Sequence, residues 1–589
     1  MKSKHSVKAI FACYKLVFKS CPFLSICEIV SYLGSAIVSG FMTLVWKNLF
    51  DSISLALVDK SIVAVLNAIL VFGIFQVMEI IFRLLGRVST RLFGYNERVI
   101  LNMRSKLYEH AASIPLINFE KKENYDAFER ANSAIGNNAA TKMVDYLYQT
   151  PAMIISLIIM AISLWSMSPI LVCVAIISVI PVSLFHLSKG LKRFQLHQKQ
   201  ASDRRAKNYF WTLFLSPTYI KDIRVLDAHD FFMNKWLCCT QKVNEEEATF
   251  HFEHLKKQII PDVVKIIGSC LGIIFSAILF LFKKITVGSF GAVINAFQNL
   301  QSSYLQLVSN FQQFSESYLF FFDYLDYLNI PTEKSGSYSL DMVNGIQLKN
   351  VCFKYPNADN YALKNISLSI KNNEHIAIVG ENGSGKTTLC RIITGLYLPT
   401  YGQVNYNNYS LNDYSLSYRD TISGVFQDYI KYQIDIRSNV GFGSVANIMN
   451  DDYIYSAMSK AKTLNLLYKN DLNTQIGREY GGLELSGGQW QRLAIGRGYM
   501  PQNAILILFD EPTSSIDPLQ EAAIFNQFMK ESSNRTAIVV THRMGATKLA
   551  DRIIVLDKGE IVESGTHDEL MNQNGKYANM YHEQAKWYL

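Results

Sequence analysis

The chain has 589 residues, of which 49% are hydrophobic and only 18% charged, and its formal net charge is +8. That length leaves room for two or more domains, and the balance is more apolar than that of most soluble enzymes. Nine cysteines, at 13, 21, 27, 173, 238, 239, 270, 352 and 390, indicate neither a disulfide framework nor a metal site and read as reduced or membrane-buried thiols.

The apolar excess lies in the N-terminal half. Residues 1–20 contain no hydrophobic core with a cleavage site, so no removable signal peptide is expected, and they are too few to hold a processing domain ahead of the first span. Apolar runs long enough to cross hydrocarbon occur near 23–45, 61–82, 150–168, 169–187, 264–282 and 287–309. Only Ser166-Met167-Ser168-Pro169 separates the third from the fourth, which predicts a tight helical hairpin. Glu28 and Glu79 are isolated acids inside the first two spans. Each either recognises a cationic group on a cargo, or sits near the inner interface or beside a basic partner.

Lys and Arg set the orientation. Ten lie in 83–145 and thirteen in 189–257, whereas the short connections hold only Lys60, Lys283 and Lys284. The positive-inside bias puts the N-terminus, both long connections and the C-terminal half in the cytoplasm, and six crossings return the chain to the side it started from. The net charge then needs no nucleic-acid partner, because it is the excess expected beside an anionic lipid leaflet. Helix-compatible residues dominate the long connections, which read as cytoplasmic extensions of the membrane helices. In the sixth span, Asn295, Asn299, Ser302, Gln306, Ser309 and Gln313 are spaced 4, 3, 4, 3, 4 and stack into one polar stripe. Lipid cannot solvate amides, so the stripe faces protein or water: a lining of a translocation pathway is favoured over helix–helix hydrogen bonding. A membrane domain is thus assigned to 1–329, and a linker to 330–345, where Pro331 to Ser339 has linker composition.

Residues 346–589 read as an α/β nucleotide-binding domain. The buried strand Ile376-Ala377-Ile378-Val379 runs into Gly380-Glu381-Asn382-Gly383-Ser384-Gly385-Lys386-Thr387, and Thr388 to Ile393 reads as the start of a helix. This strand–loop–helix context is that of a P-loop. Glycines at 380, 383 and 385 let backbone N–H groups converge on phosphate, Lys386 would reach the β and γ phosphates, and Thr387 would hold Mg2+. Kinases, GTPases and motor ATPases carry this pattern too. Further on, the apolar strand Ile505 to Phe509 ends in Asp510-Glu511. Asp510 suits the magnesium shell, and Glu511 is placed to orient or deprotonate an attacking water.

Between these two motifs stands Leu485-Ser486-Gly487-Gly488-Gln489-Trp490-Gln491-Arg492, and with it the domain resembles the nucleotide-binding domain of ABC transporters. The resemblance implies an ATP site formed by Tyr355, stacking on adenine, the P-loop residues 380–387 with Thr388, and Gln427 of a Q-loop that shares Mg2+ with Thr387 and Asp510. It makes Ser514 to Asp517 a D-loop and His542 a switch histidine near the γ-phosphate. It further implies that Ser486, Gly487, Gly488 and Gln489 act in trans on ATP held by another chain. Ser515 departs from the usual alanine of the D-loop, and Arg497-Gly498-Tyr499 replaces a commoner Arg-Ala-Leu type stretch.

Segments 119–130 and 216–224 resemble coupling-helix regions of exporter-type transmembrane domains. The fold implied is an α-helical polytopic membrane domain of six transmembrane helices with long cytoplasmic extensions, followed by an ABC-type P-loop ATPase. The function implied is ATP-driven transport by alternating access in a bacterial cytoplasmic membrane, exporting peptides, lipids or amphipathic small molecules. An importer on the same fold, for instance of a metal chelate, stays open, whereas six spans argue against a soluble ATPase of the DNA-repair or translation class. Every catalytic position is intact, which favours a homodimer over a heterodimer with a related half-transporter.

Overall fold

Long apolar runs without turn residues become helices that outlast the spans themselves. The structure, a computed structural model, describes residues 2–59, 62–340, 342–407, 409–468, 470–511 and 518–586. Its contacts divide the chain into two compact units, Met1–Ala112 with Asp126–Ile330, and Ser113–Tyr125 with Pro331–Leu589.

The first unit is helical. In chain order its helices are α1 (Lys2–Ser20), α2 (Pro22–Asp59), α3 (Val63–Arg91), α4 (Tyr95–Ser113), α5 (Lys122–Gly136), α6 (Ala139–Trp165), α7 (Pro169–Leu215), α8 (Pro217–Val225), α9 (His229–Leu281) and α10 (Val287–Leu328). The expected hairpin is present, with α6 ending at Trp165 and Pro169 opening α7, where its missing N–H costs nothing. Among the described residues, four helical segments are long and apolar enough to cross a membrane: Pro22–Leu57, Val63–Ser113, Ala139–Trp165 and His229–Leu281. The start of α7, Pro169–Phe185, is shorter, and α10 is absent from this set. Its polar stripe dilutes its hydropathy although the helix is continuous.

Lipid tails are as apolar as leucine, so close packing and interhelical hydrogen bonds decide how such helices associate. Leu164, Leu171, Val172 and Ala175 of the hairpin interlock with Val293, Ala296, Phe297 and Leu300 of α10. Gln301 of α10 ties three helices together: its Nε2 donates to Ser178 Oγ on α7, and its Oε1 accepts from Ser269 Oγ on α9, both at 2.8 Å.

The second unit holds two sheets. β1 (Gly345–Phe353), β2 (Leu363–Lys371), β4 (Tyr401–Tyr406) and β5 (Tyr409–Ser410) form an antiparallel sheet in the order β2-β1-β4-β5. The larger sheet has the order β10-β9-β3-β8-β7-β6, built from β3 (His375–Gly380), β6 (Ile422–Val425), β7 (Leu506–Asp510), β8 (Thr536–Val540), β9 (Arg552–Asp557) and β10 (Glu560–Gly565). Its strands pair in parallel except at the β10–β9 edge. β7 and β8 are buried at every position, as befits parallel strands covered on both faces, and this is why they read as unbroken apolar runs. One core joins β1, β2, β4 and helix α11 (Lys386–Ile393) to this sheet. Another packs α12 (Ile436–Gly441), α13 (Asp451–Lys460), α14 (Gly487–Tyr499) and α15 (Pro518–Glu531) against its other face. The linker is docked on this unit: Gly336 N–H donates to Tyr414 O at 2.9 Å, and Glu333 forms an ion pair with Arg419 at 2.7 Å.

Candidate functional site

Parallel strands deliver the candidate groups to one edge. Taken across the sheet, β3 feeds the loop 380–387, β8 is followed by Thr541 and His542, β7 ends in Asp510 with Glu511 next, and β6 is followed at a short distance by Gln427. All four carboxyl ends point the same way, to the side where ligands of such sheets bind.

The loop is shaped for an anion. Gly380, Gly383 and Gly385 have φ of +154°, +78° and +104°. At Gly385 any side chain would also place its Cβ 2.8 Å from Ala362 O, so glycine alone fits there. α11 starts at Lys386, and its free N–H groups add their partial positive charge to the cradle. The buried Lys386 Nζ donates to Gly380 O and Glu381 O, both at 3.0 Å. Burial lowers its pKa, and the Glu511 and Asp510 carboxylates oppose that shift. Ser384 is buried, Asn382 is exposed, and Glu381 pairs with Lys576 at 3.0 Å. The Thr388 hydroxyl is hydrogen-bonded to Tyr355 Oη at 2.9 Å, and the Tyr355 ring stands edge-on to Phe353 and Tyr397.

The two carboxylates differ in kind. Asp510 is 0% exposed, and neither of its oxygens makes a hydrogen bond of ordinary geometry. Desolvation pushes this carboxyl up to about 6, while the neighbouring Thr387 hydroxyl pulls the other way. A buried acid without a donor, next to a threonine hydroxyl and a phosphate cradle, is the donor set a hard divalent cation takes, so Mg2+ fits here. Glu511, by contrast, is held on both oxygens: Oε2 accepts from Gln427 Nε2 at 2.9 Å, and Oε1 contacts His542 Nε2 at 2.7 Å. Its backbone has φ of +47°, a strained conformation of the kind found at functional sites. Burial, then the Lys386 charge, depress the pKa of His542, with Glu511 opposing. Gln584 grips the histidine's segment from both sides, donating to His542 O at 2.9 Å and accepting from Met544 N at 2.6 Å.

Ser486 caps α14 in a reciprocal box: its Oγ accepts from Gln489 N–H at 3.3 Å, and Gln489 Oε1 accepts from Ser486 N–H at 2.8 Å. The Gln489 side chain is therefore engaged in shaping the helix start, while Gly487 and Gly488 open the helix. The two unusual residues nearby have a packing reason. A Cβ at Gly498 would stand 2.6 Å from Val425 Cγ2, so an alanine would push α14 off β6, and the Tyr499 ring packs on Phe509 with centroids 5.8 Å apart. Ser514 and Asp517 lie outside the described residues.

A chain of contacts leads away from the site. Arg391, in the helix that begins at the P-loop, pairs with Asp428 at 3.6 Å, next to Gln427, and its NH1 donates to Tyr397 Oη at 3.1 Å. Tyr397 Oη in turn donates to Glu120 Oε1 at 2.7 Å. Glu120 belongs to the short helix Leu116–Glu120, whose Ile117 packs against the core of this same unit. Of the segment expected at 119–130, the part up to Tyr125 thus belongs with the ATPase, and the remainder continues α5 in the helical unit.

The ABC transporter family matches residues 363–514. The subtilin transport ATP-binding protein of Bacillus subtilis is 31% identical over 524 residues, 84% of this chain and 83% of that protein. The chain belongs to the ABC transporter family. The nisin transport ATP-binding protein of Lactococcus lactis is 27% identical over 88% of this transporter and 87% of its own length. The ATP-dependent lipid A-core flippase of Photobacterium profundum is 28% identical over 84% and 85%. A bacterial Atm1-family ABC exporter with ATP bound shares the fold, with a TM-score of 0.80 and 20% identity over 95% of this chain and 98% of that one. This transporter is an ATP-hydrolysing half-transporter of exporter type, and its apolar helices and bacterial relatives place it in a bacterial membrane.

In the helical unit of this transporter the polar stripe of α10 is on the open face. Ser302, Gln306 and Gln313 are exposed, and Asn295, Asn299 and Ser309 are half-buried. The stripe bonds largely along itself: Asn299 Nδ2 donates to Asn295 Oδ1 at 2.5 Å, and Gln313 Nε2 to Ser309 Oγ at 2.9 Å. Interhelical bonding comes from the end of the stripe, where Gln313 Oε1 accepts from Tyr146 Oη on α6 at 2.6 Å, and from Gln301 and Asn310 on the buried face, whose role period alone did not assign. Glu79 pairs with Arg83, one turn along α3, whereas Glu28 is buried.

Proposed function

We propose that this ABC transporter exports a peptide, lipid or amphipathic small molecule from the cytoplasm, with two copies of the chain completing two ATP sites. The observation that carries this reading is Glu511, held between Gln427 and His542 at the sheet edge that also bears the P-loop. Relatives named for subtilin transport, nisin transport and lipid A-core flipping support export of such cargo.

Thr387 and Asp510, with Gln427, would hold Mg2+, which supplies charge neutralisation on the β and γ phosphates. The chain's own groups do the rest. Backbone N–H groups of 380–387 and the Lys386 ammonium bind phosphate, and Tyr355 offers its ring to adenine. Glu511 orients a water and takes its proton, with His542 keeping the carboxylate aimed. Ser486 and the Gly487-Gly488 backbone, at the head of α14, complete the site of the second copy, with Gln489 fixing their geometry. Closure on ATP then does mechanical work because ATP binds the closed pair better than the open one. The N-terminus and both ATPase units lie in the cytoplasm, as the Lys and Arg distribution supports.

The test is Glu511→Gln in the purified full chain. Removing a general base lowers turnover by about 10²–10⁴-fold, while ATP binding persists and the two copies stay closed on it. Steady-state hydrolysis at the wild-type rate would refute the role of Glu511.

A further inference from the structure

Two acids of the membrane helices, Glu28 and Glu79, have opposite surroundings. Glu79 is neutralised by Arg83. Glu28, on α2, is 2% exposed, and its Oε1 has no hydrogen-bond partner. An acceptor so placed is costly unless a donor reaches it.

Glu28 lines an open cavity of about 600 Å³ whose walls are α2, α3, α6 and α10. Ser31, Ser35 and Ser39 follow Glu28 at spacings of 3, 4 and 4, so α2 turns one polar face to this space. Gln149 on α6 and Gln306 of the α10 stripe face it too. These hydroxyls and amides are neutral. The cations on the lining are Arg83, already paired, and Arg87, which is exposed and forms no ion pair among the described residues. No cation on the lining is paired with Glu28 among the described residues, so a cationic group that arrives with a ligand finds an unmet acceptor there.

We propose that Glu28 anchors a cationic group, an ammonium or guanidinium, of a peptide cargo. The hydroxyls and amides on the lining suit a peptide's backbone and polar side chains, and Ala36, Ala152 and Met153 beside them suit its apolar side chains. The exposed Arg87 suits an anionic group elsewhere on the same peptide. This inference rests on the transporter reading above and narrows its cargo.

The test uses the full chain in nanodiscs and two synthetic amphipathic peptides of about twenty residues, identical except that the single lysine is free in one and Nε-acetylated in the other. Binding is read by fluorescence anisotropy. The wild-type chain is expected to prefer the free-lysine peptide about tenfold, about 1.4 kcal/mol. Glu28→Gln should bring the ratio to about one, and Glu28→Asp should keep part of the preference. Because the ratio is taken within each variant, a partly misfolded sample does not mimic the effect. Equal binding of the two peptides by the wild-type chain overturns the proposal, as does an undiminished preference in Glu28→Gln or no saturable binding of either peptide. If phosphatidylethanolamine in the nanodisc displaces the free-lysine peptide and itself requires Glu28, the cation belongs to lipid and the peptide assignment falls. Failure of the wild-type chain to hydrolyse ATP would instead count against the transporter reading.

Discussion

Replacing Tyr397 by phenylalanine removes one oxygen from the path between the ATP site and the segment 113–125. The ring itself should stay, since it is buried and stacked on Phe353 with centroids 5.3 Å apart and planes 8° from parallel. What is lost is the donor to Glu120 Oε1 and the acceptor for Arg391. Burial, with the Glu120 hydrogen bond next, pushes the phenol up to about 12, so it is a donor throughout the physiological range. A hydrogen bond to a charged group contributes about 1.5–3 kcal/mol, but Glu120 is exposed and water can replace its partner. About 1 kcal/mol is the better figure after that discount, a factor of about five in the docked population of the segment. Ile117 still packs against the ATPase core, so docking weakens without being abolished. The assay pairs amide exchange of 113–125 with cargo moved per ATP hydrolysed. Exchange should quicken about fivefold and the transport-to-hydrolysis ratio should fall, with basal turnover retained. Unchanged exchange together with an unchanged ratio would refute the reasoning. A parallel drop in basal turnover would place Tyr397 in the catalytic site instead.

Asp510→Asn should abolish Mg2+-dependent turnover yet stabilise the nucleotide- and metal-free chain at neutral pH. Folding raises this carboxyl from 3.8 to about 6. Its stabilisation is complete below the lower value and lost as pH climbs through the upper one, up to about 3 kcal/mol between about pH 4 and pH 7. Thermal unfolding in EDTA at several pH values checks the sign, and a slope that the substitution leaves untouched would refute it. Gly498→Ala should overpack α14 against Val425 and cost about 1–3 kcal/mol, read as a lower melting temperature of the ATPase unit. A variant as stable as the wild type would show that α14 can shift freely.

The phosphate cradle and the acidic pair were legible because their signals are local. An apolar run ending in Gly380 or in Asp510-Glu511 announces a buried strand and its exit within a dozen residues. The Glu79–Arg83 pair also had a local signal, in its spacing of four on one helix. Gln584 and Tyr397 had none. Gln584 acts on a backbone oxygen 42 residues earlier, and Tyr397 meets Glu120 across 277 residues, distances over which spacing carries no information. The stripe on α10 was readable as a face, but not the neighbour of that face. A period of 3.6 sorts residues around a helix without saying which side the other helices will cover.

By itself, then, the sequence determined the chemistry of each element: which loop has the glycines of a phosphate cradle, which carboxylates follow a strand, which helices are apolar enough for a membrane. These properties depend on neighbours along the chain, where backbone geometry is enforced by bonds. Tertiary structure decided the rest. The strand order β3-β8-β7-β6 brings Lys386, His542, Glu511 and Gln427 to one edge, and helix packing buries Glu28 while leaving Glu79 with Arg83. Such placements depend on which apolar surfaces cover one another, a choice made jointly by residues far apart in the chain.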